Sequence, residues 1–164
     1  MAANEIDLNP VDFLTIGTIG PKGKRVFHLQ AGQRDRIVSL IMEKEQARAL
    51  SQAVDEMLTE LAERVGPTEP VDLSQFDMEL REPIVPEFRI ANMGLGYDEE
   101  HDLIVLVAQE LQAEDLTGLQ SEPRVMRFWG SRRQMRALSQ QAREVVRQGR
   151  PDPRQNGNIV YYWT

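Results

Sequence analysis

The chain contains no cysteine, which excludes thiol nucleophiles, disulfides and cysteine-built zinc sites, and suits a reducing cytoplasm better than secretion. There are only two histidines, neither near a serine-rich motif, so a nucleophilic triad has little to be built from. Long hydrophobic runs are missing too. The longest, Leu103 to Ala108, falls far short of the roughly 20 apolar residues that span a bilayer. Met1-Ala2-Ala3-Asn4-Glu5-Ile6-Asp7 lacks the basic and apolar regions of a signal peptide. These absences imply a cytoplasmic protein that does not use the membrane.

What is present is an uneven distribution of charge. The formal net charge is −7, yet residues 1–120 hold 10 basic and 23 acidic side chains, whereas residues 121–164 hold 9 basic and 3 acidic. The basic residues of that second stretch are all arginine. Arginine's planar fork pairs with carboxylate and phosphate alike. The segment therefore either satisfies the acidic remainder of the chain or is reserved for an anionic partner.

Gln46-Ala47-Arg48-Ala49-Leu50-Ser51-Gln52 returns with one change as Gln134-Met135-Arg136-Ala137-Leu138-Ser139-Gln140, 88 residues later. An internal duplication follows as the expectation, each copy having an apolar helix face to bury. In the first copy, Phe13 to Ile19 and Arg25 to Gln30 alternate around the turn Gly20-Pro21-Lys22-Gly23, which predicts a hairpin. Arg36 to Met42 gives a third strand. Glu43-Lys44-Glu45-Gln46 supplies an acidic first turn for a helix that Gly66-Pro67 stops.

Ala47, Leu50, Val54, Met57, Leu58, Leu61 and Val65 line one face of that helix. Moving on by 88 from Ala47, Leu50, Val54, Met57 and Leu58 meets Met135, Leu138, Ala142, Val145 and Val146, all apolar. The second copy opens with Phe88 to Met93, turns through residues 98–102 and continues in Leu103 to Leu111. After a polar insertion from Gln112 to Pro123, Arg124 to Trp129 precedes a helix from about Ser131 to Gln148. The expected organisation is one domain over 1–164: a first repeat at about 12–66, a connector at 67–86 carrying four prolines, a second repeat at about 87–149, and an aromatic tail at 150–164. The expected fold is α+β, with duplicated βββα units, antiparallel sheet or sheets, and two main helices on one side.

Several short motifs resemble a known family. Asp12-Phe13, Gly17-Thr18-Ile19-Gly20, Arg25, Phe27 and Leu29-Gln30-Ala31 stand in the first half, followed by Glu43-Lys44-Glu45-Gln46. Phe88-Arg89, Met93, Leu95, Tyr97-Asp98, Ala108-Gln109 and Gly149-Arg150-Pro151 stand in the second. In this order they resemble a bacterial, chiefly actinobacterial, family catalogued as domain of unknown function 3090. Many members of that family carry a cysteine- and histidine-containing knuckle after the Gly-Arg-Pro. Here Pro153-Arg154-Gln155-Asn156-Gly157 follows almost at once without cysteine, so the soft ligands for zinc are missing. The resemblance implies no established activity, and only a lean towards phosphorylated ligands.

Gly17 to Lys24 superficially suggests a phosphate loop, but the spacing is wrong, Arg25 replaces the hydroxyl residue and a strand follows. His101 stands among Asp98, Glu99, Glu100 and Asp102, yet consecutive turn positions converge poorly on one ion, so no metal and no cofactor is expected. Arg132, Arg136, Arg143, Arg147 and Arg150 recur at near-helical intervals, a solvated stripe or a surface for an anionic partner. Arg48-Gln52-Glu56 and Arg136-Gln140-Glu144 repeat at i, i+4 and i+8, either as local pairs or as a contact surface.

These observations suggest a non-catalytic binding or adaptor module for a protein or small phosphorylated partner, with Arg132, Arg136, Arg143 and Arg147 as ligand-binding candidates. Nucleic acid fits less well, because it calls for a broader basic field. The alternative is an enzyme or accessory subunit acting on a phosphorylated metabolite. Its candidates are Arg25, Arg89, Asp98 and Gln109, which coincide with the family-like motifs, and it has no visible catalytic set. The tail Ile159-Val160-Tyr161-Tyr162-Trp163 either adds an edge strand within the domain or makes a homodimer by strand addition.

Overall fold

The computed structural model describes residues 5–112 and 122–148. The aromatic tail and most of the polar insertion therefore lie outside the described residues. Strand β1 is Glu5–Leu8, β2 Phe13–Ile19, β3 Val26–Gln33 and β4 Arg36–Met42; helix α1 is Lys44–Val65. Then follow β5 at Pro86–Asp98, β6 at Leu103–Glu110, β7 at Val125–Ser131 and α2 at Arg132–Gln148. The protein is α+β, with one seven-stranded sheet in the order β1-β7-β6-β5-β4-β3-β2.

Within each half the antiparallel expectation holds: β2, β3 and β4 form one meander, and β5, β6 and β7 another. Ile16, Leu29 and Leu40 stand in register across the first, as Leu95, Leu106 and Phe128 do across the second. The joints between the meanders depart from expectation by being parallel, so the sheet is mixed. Leu40 on β4 pairs with Phe88 on β5, and Phe128 on β7 pairs with Leu8 on β1. The reason is directional. Helix α1 returns the chain to the end where β4 began, so β5 starts alongside it in the same sense; at the other joint the parallel partner of β7 is β1, the first strand of the chain.

The sheet also closes. Its end strands β1 and β2 are separated in the chain only by residues 9–12. Laid flat, six intervals of about 4.8 Å would put them roughly 29 Å apart, more than the five residue steps from Leu8 to Phe13 can span at about 3.5 Å each. Residues in the link are bonded to both neighbours: Val11 N–H donates to Trp129 O at 2.8 Å, and Asp12 N–H to Gly32 O at 2.7 Å. Broken β1 and β2 thus do in the first half what the two ends of the 13-residue β5 do in the second.

Two seams arise where the parallel ladders stop, and the helices fill them. Gln46, in the first turn of α1, accepts from Glu43 N–H at 2.7 Å and so caps its own helix. Its amide donates to Ile90 O at 3.0 Å and Ala91 O at 3.3 Å, on a strand of the other half. Gln134 repeats the arrangement on α2, accepting from Ser131 N–H at 2.9 Å and donating to Val11 O at 3.2 Å. A third amide, Gln141, donates to Ile16 O at 3.2 Å.

One hydrophobic core runs through both halves. It joins Leu29, Leu40, Leu106 and Phe128 from the sheet to Leu50, Val54, Leu138 and Ala142 from the helices. The connector is not a passive link. Thr15, Gln30 and Ser39 form a polar row on the sheet face away from this core. Residues 78–81 lie over it: Thr15 Oγ1 donates to Met78 O at 2.7 Å, and Gln30 exchanges bonds with the backbone of Arg81 at 2.7 and 2.8 Å. A Cβ on Gly17 would stand 2.8 Å from Leu80 Cγ, so glycine is what lets the connector approach.

Replacing Gln46 or Gln134 by Leu leaves a backbone carbonyl and a capping N–H unpaired, and each change is expected to lower the unfolding free energy by about 1–3 kcal/mol in urea titrations. Gly17→Ala is expected to cost about 1–3 kcal/mol by overpacking against Leu80, whereas Gly94→Ala, with nothing within 4 Å, leaves the urea midpoint unchanged or raises it.

Candidate functional site

The helices meet at equivalent positions. Ser51 and Ser139, each buried, face one another with hydroxyl oxygens 2.9 Å apart, and Ser51 donates to Ser139 O at 3.1 Å. Small side chains at this crossing allow close approach, and each buried hydroxyl finds an acceptor on the opposite helix. One turn on, the two halves differ: the position of Asp55 in α1 is that of Arg143 in α2. The two side chains form an ion pair across the helices. Identical residues would have placed like charges together. Arg143 also donates to Ser51 and Ser139 at 3.1 Å each, and Ser139 Oγ donates to Asp55 Oδ1 at 2.6 Å.

Beside this knot the helices part to leave a groove of about 560 Å³. Its walls are Arg48, Ser51, Gln52, Asp55 and Glu56 from α1, and Arg143, Val146 and Arg147 from α2. Three arginines thus face two carboxylates. Arg48 pairs with Glu45 and Arg147 with Glu144, along their own helices. Both pairs are solvent-exposed, and such pairs contribute only about 0–1 kcal/mol. A ligand anion can therefore replace either carboxylate at little cost.

Arg143 and Arg147 from the predicted stripe reach the groove; the other candidates lie elsewhere. Arg132 is only 15 % exposed and holds Asp102 through two bonds of 2.9 and 3.1 Å while donating to Gly66 O at 2.7 Å. It fixes the end of α1, where Gly66 takes φ 109°. Arg136 is half-buried, with a buried Nε that has no hydrogen-bond partner among the described residues. Arg25 reaches Gln148 O at 3.2 Å, at the end of α2. Arg89 pairs with Glu43 at 2.7 Å at the β4–β5 joint. Gln109 lies between Asn92 and Val125 in the sheet, and Asp98 begins the β5–β6 turn. Arg89 and Asp98 are nine residues apart on one strand, roughly 30 Å, so the four positions of the enzyme reading do not converge.

The β5–β6 turn gathers more than consecutive positions were expected to. Donor atoms of Asp98, Glu100 and His101 come within 4.8 Å of one another. Asp98 uses its own oxygens locally: His101 Nδ1 lies at 2.7 Å and Glu100 N–H donates at 3.0 Å. The bond with His101 leads the effects that hold Asp98 below the usual carboxylate range. Next to it, Tyr97 donates its hydroxyl to Asp102 at 2.6 Å. That bond, ahead of the Arg132 bond, holds Asp102 below its ordinary value. The same contact raises the Tyr97 phenol, since ionising it would set a phenolate against a carboxylate.

A family model described as "Protein of unknown function (DUF3090)" matches residues 6–156. The chain belongs to this family. No curated protein and no solved structure matches it. Within this DUF3090 chain, the α1 wall of the groove is the part that periodicity of the arginines missed. Its signal lay in the repeated Arg48-Gln52-Glu56 trio and in the serine of each heptapeptide. No helix among the described residues is long and apolar enough to cross a membrane.

The Tyr97–Asp102 contact has a definite pH signature. Its contribution through Tyr97 is full below the unfolded tyrosine pKa of about 10 and is lost as pH rises through the higher folded value; its contribution through Asp102 is full above about pH 3.9 and is lost as pH falls through the lower folded value. Asp102→Asn is therefore expected to let Tyr97 ionise at lower pH than in the parent, read as phenolate absorbance with Tyr97→Phe as the subtraction standard.

Proposed function

We propose that this protein is a non-catalytic binding module whose groove between α1 and α2 receives a small anionic, phosphorylated ligand. The observation that carries the reading is the set of three groove arginines facing two carboxylates, with Arg48 and Arg147 paired among the described residues by exposed contacts along their own helices. Arginine forks bind phosphate oxygens in pairs, and the groove has the size of ordinary small-ligand sites, about 300–1,000 Å³. Gln52 and Glu56, hydrogen-bonded to each other at 3.2 Å, offer polar contacts for the ligand's neutral part. An acidic protein segment is the second reading, supported by the same arginines. The enzyme reading draws no support from Arg25, Arg89, Asp98 and Gln109, given their separation.

We read the matched registers and the reciprocal glutamines as the trace of an internal duplication, and we place the protein in the cytoplasm on the strength of its lack of cysteine. In the ligand reading, binding of inorganic pyrophosphate followed by calorimetry is expected to weaken about 10-fold or more in Arg48→Gln/Arg147→Gln, since each charged hydrogen bond contributes about 1.5–3 kcal/mol. The urea midpoint should stay near that of the parent. Unchanged affinity in that variant would remove the groove assignment, and retained binding of acidic peptides without pyrophosphate binding would favour the protein reading.

A further inference from the structure

Every arginine of α2 but one has a carboxylate beside it. Arg132 is bound to Asp102, Arg133 lies 3.8 Å from Glu69, and Arg143 and Arg147 pair with Asp55 and Glu144. Arg136 enters no ion pair among the described residues, although it is half-buried and its Nε is enclosed without a hydrogen-bond partner. Gln140, one turn further along the same face, is half-buried too, and its side-chain amide makes no hydrogen bond among the described residues. Neither side chain lines the groove.

The matching turns of α1 show how the lack arises. Arg48, 88 residues before Arg136, pairs with Glu45, and Gln52, 88 residues before Gln140, donates to Glu56 at 3.2 Å. On α2 the place of Glu45 is held by Arg133, a like charge three residues from Arg136. Arg133 turns towards the connector, where it also lies over the Phe76 ring at 5.5 Å. The place of Glu56 is held by Glu144, which is already engaged by Arg147 and, at 2.9 Å, by Gln148. Helix α1 thus satisfies its arginine and glutamine with two glutamates, whereas α2 keeps the same arginine and glutamine, lacks the first glutamate and commits the second elsewhere.

We propose that Arg136 and Gln140 form a second anion site, on α2 outside the groove, for the single phosphoryl group of a small phosphate monoester. A guanidinium taken partly out of water with an N–H left over costs free energy that an oxyanion returns. Arg136 has no bond among the described residues to give up when it turns to a ligand; its fork engages two phosphate oxygens, and the Gln140 amide donates to a third. One unneutralised cation with one neutral donor matches one phosphoryl group, whereas the several arginines of the groove suit a larger anion. The site goes beyond the groove reading and does not depend on it.

Nuclear magnetic resonance of the arginine Nε–H groups tests the site on the full chain, with the Arg136 signal assigned by its loss in Arg136→Lys. Inorganic phosphate is titrated at constant ionic strength into an Arg48→Gln/Arg147→Gln chain, so that the groove does not contribute. The Arg136 signal is expected to move along a saturating curve. Arg133→Glu, which restores the carboxylate that Glu45 provides in α1, is expected to weaken that binding about 10-fold or more, and Arg133→Gln to weaken it less. A signal that stays in place, or that drifts in proportion to phosphate without saturating, would overturn the site; so would equal affinity with and without Arg133→Glu. If the double variant does not fold, the unsubstituted chain serves, because the signal reports Arg136 alone, and pyrophosphate binding in the groove stands or falls separately.

Discussion

The fold depends on a few backbone carbonyls that no strand can reach. At each joint the parallel ladder runs for only a few residues, and beyond it the carbonyls of Ile90, Ala91 and Val11 face a helix instead of a neighbouring strand. A buried carbonyl without a donor costs about 1–3 kcal/mol. Gln46 and Gln134 supply the donors, and each is already fixed because its oxygen caps its own helix. Helix start, sheet seam and contact between halves are therefore one interaction, made twice. This gives a physical reason for glutamine at the head of both heptapeptides, where an aliphatic residue would serve the core equally well.

The groove follows from the same near-symmetry and from its failure at one position. Serines at the crossing bring the helices close, and identical residues at the next turn would then repel or leave a void. Asp55 opposite Arg143 turns that conflict into an ion pair supported by both serines. The pair fixes the spacing of the helices beyond the crossing, where Arg48 and Arg147 stand on opposite walls. Arg143 thus holds the site together while Arg48 and Arg147 remain free to exchange partners. The division explains why arginines of one apparent stripe differ in role, with Arg132 occupied entirely by Asp102, Gly66 and Thr68.

Much of this was legible in the residues. Both helices followed from apolar spacing and from stop signals, and the meanders from alternation around glycine-rich or acidic turns. What escaped was pairing over long separations. Glu5–Leu8 is too short to show a period, and its partner strand lies some 120 residues away; nothing local in either segment announces a parallel joint. The connector escaped for a different reason. Its four prolines and lack of period marked it as a connector without showing that its backbone binds Thr15 and Gln30. On the site, periodicity found the arginines of α2 but could not tell an arginine consumed by a turn from one facing a groove. That depends on which carboxylates the fold brings near.

Because each half lends its glutamine to the backbone of the other, the donors do not distinguish a half in the same molecule from the matching half of a second copy. What favours the internal choice is the connector, which keeps the correct half at high effective concentration. Its prolines and its anchoring over Gly17 hold the link short and bent back on the sheet. The segment between the halves thus touches both of them, at Thr15 and Gln30 in the first and at Arg132 and Arg133 in the second, although it contributes no strand to the sheet.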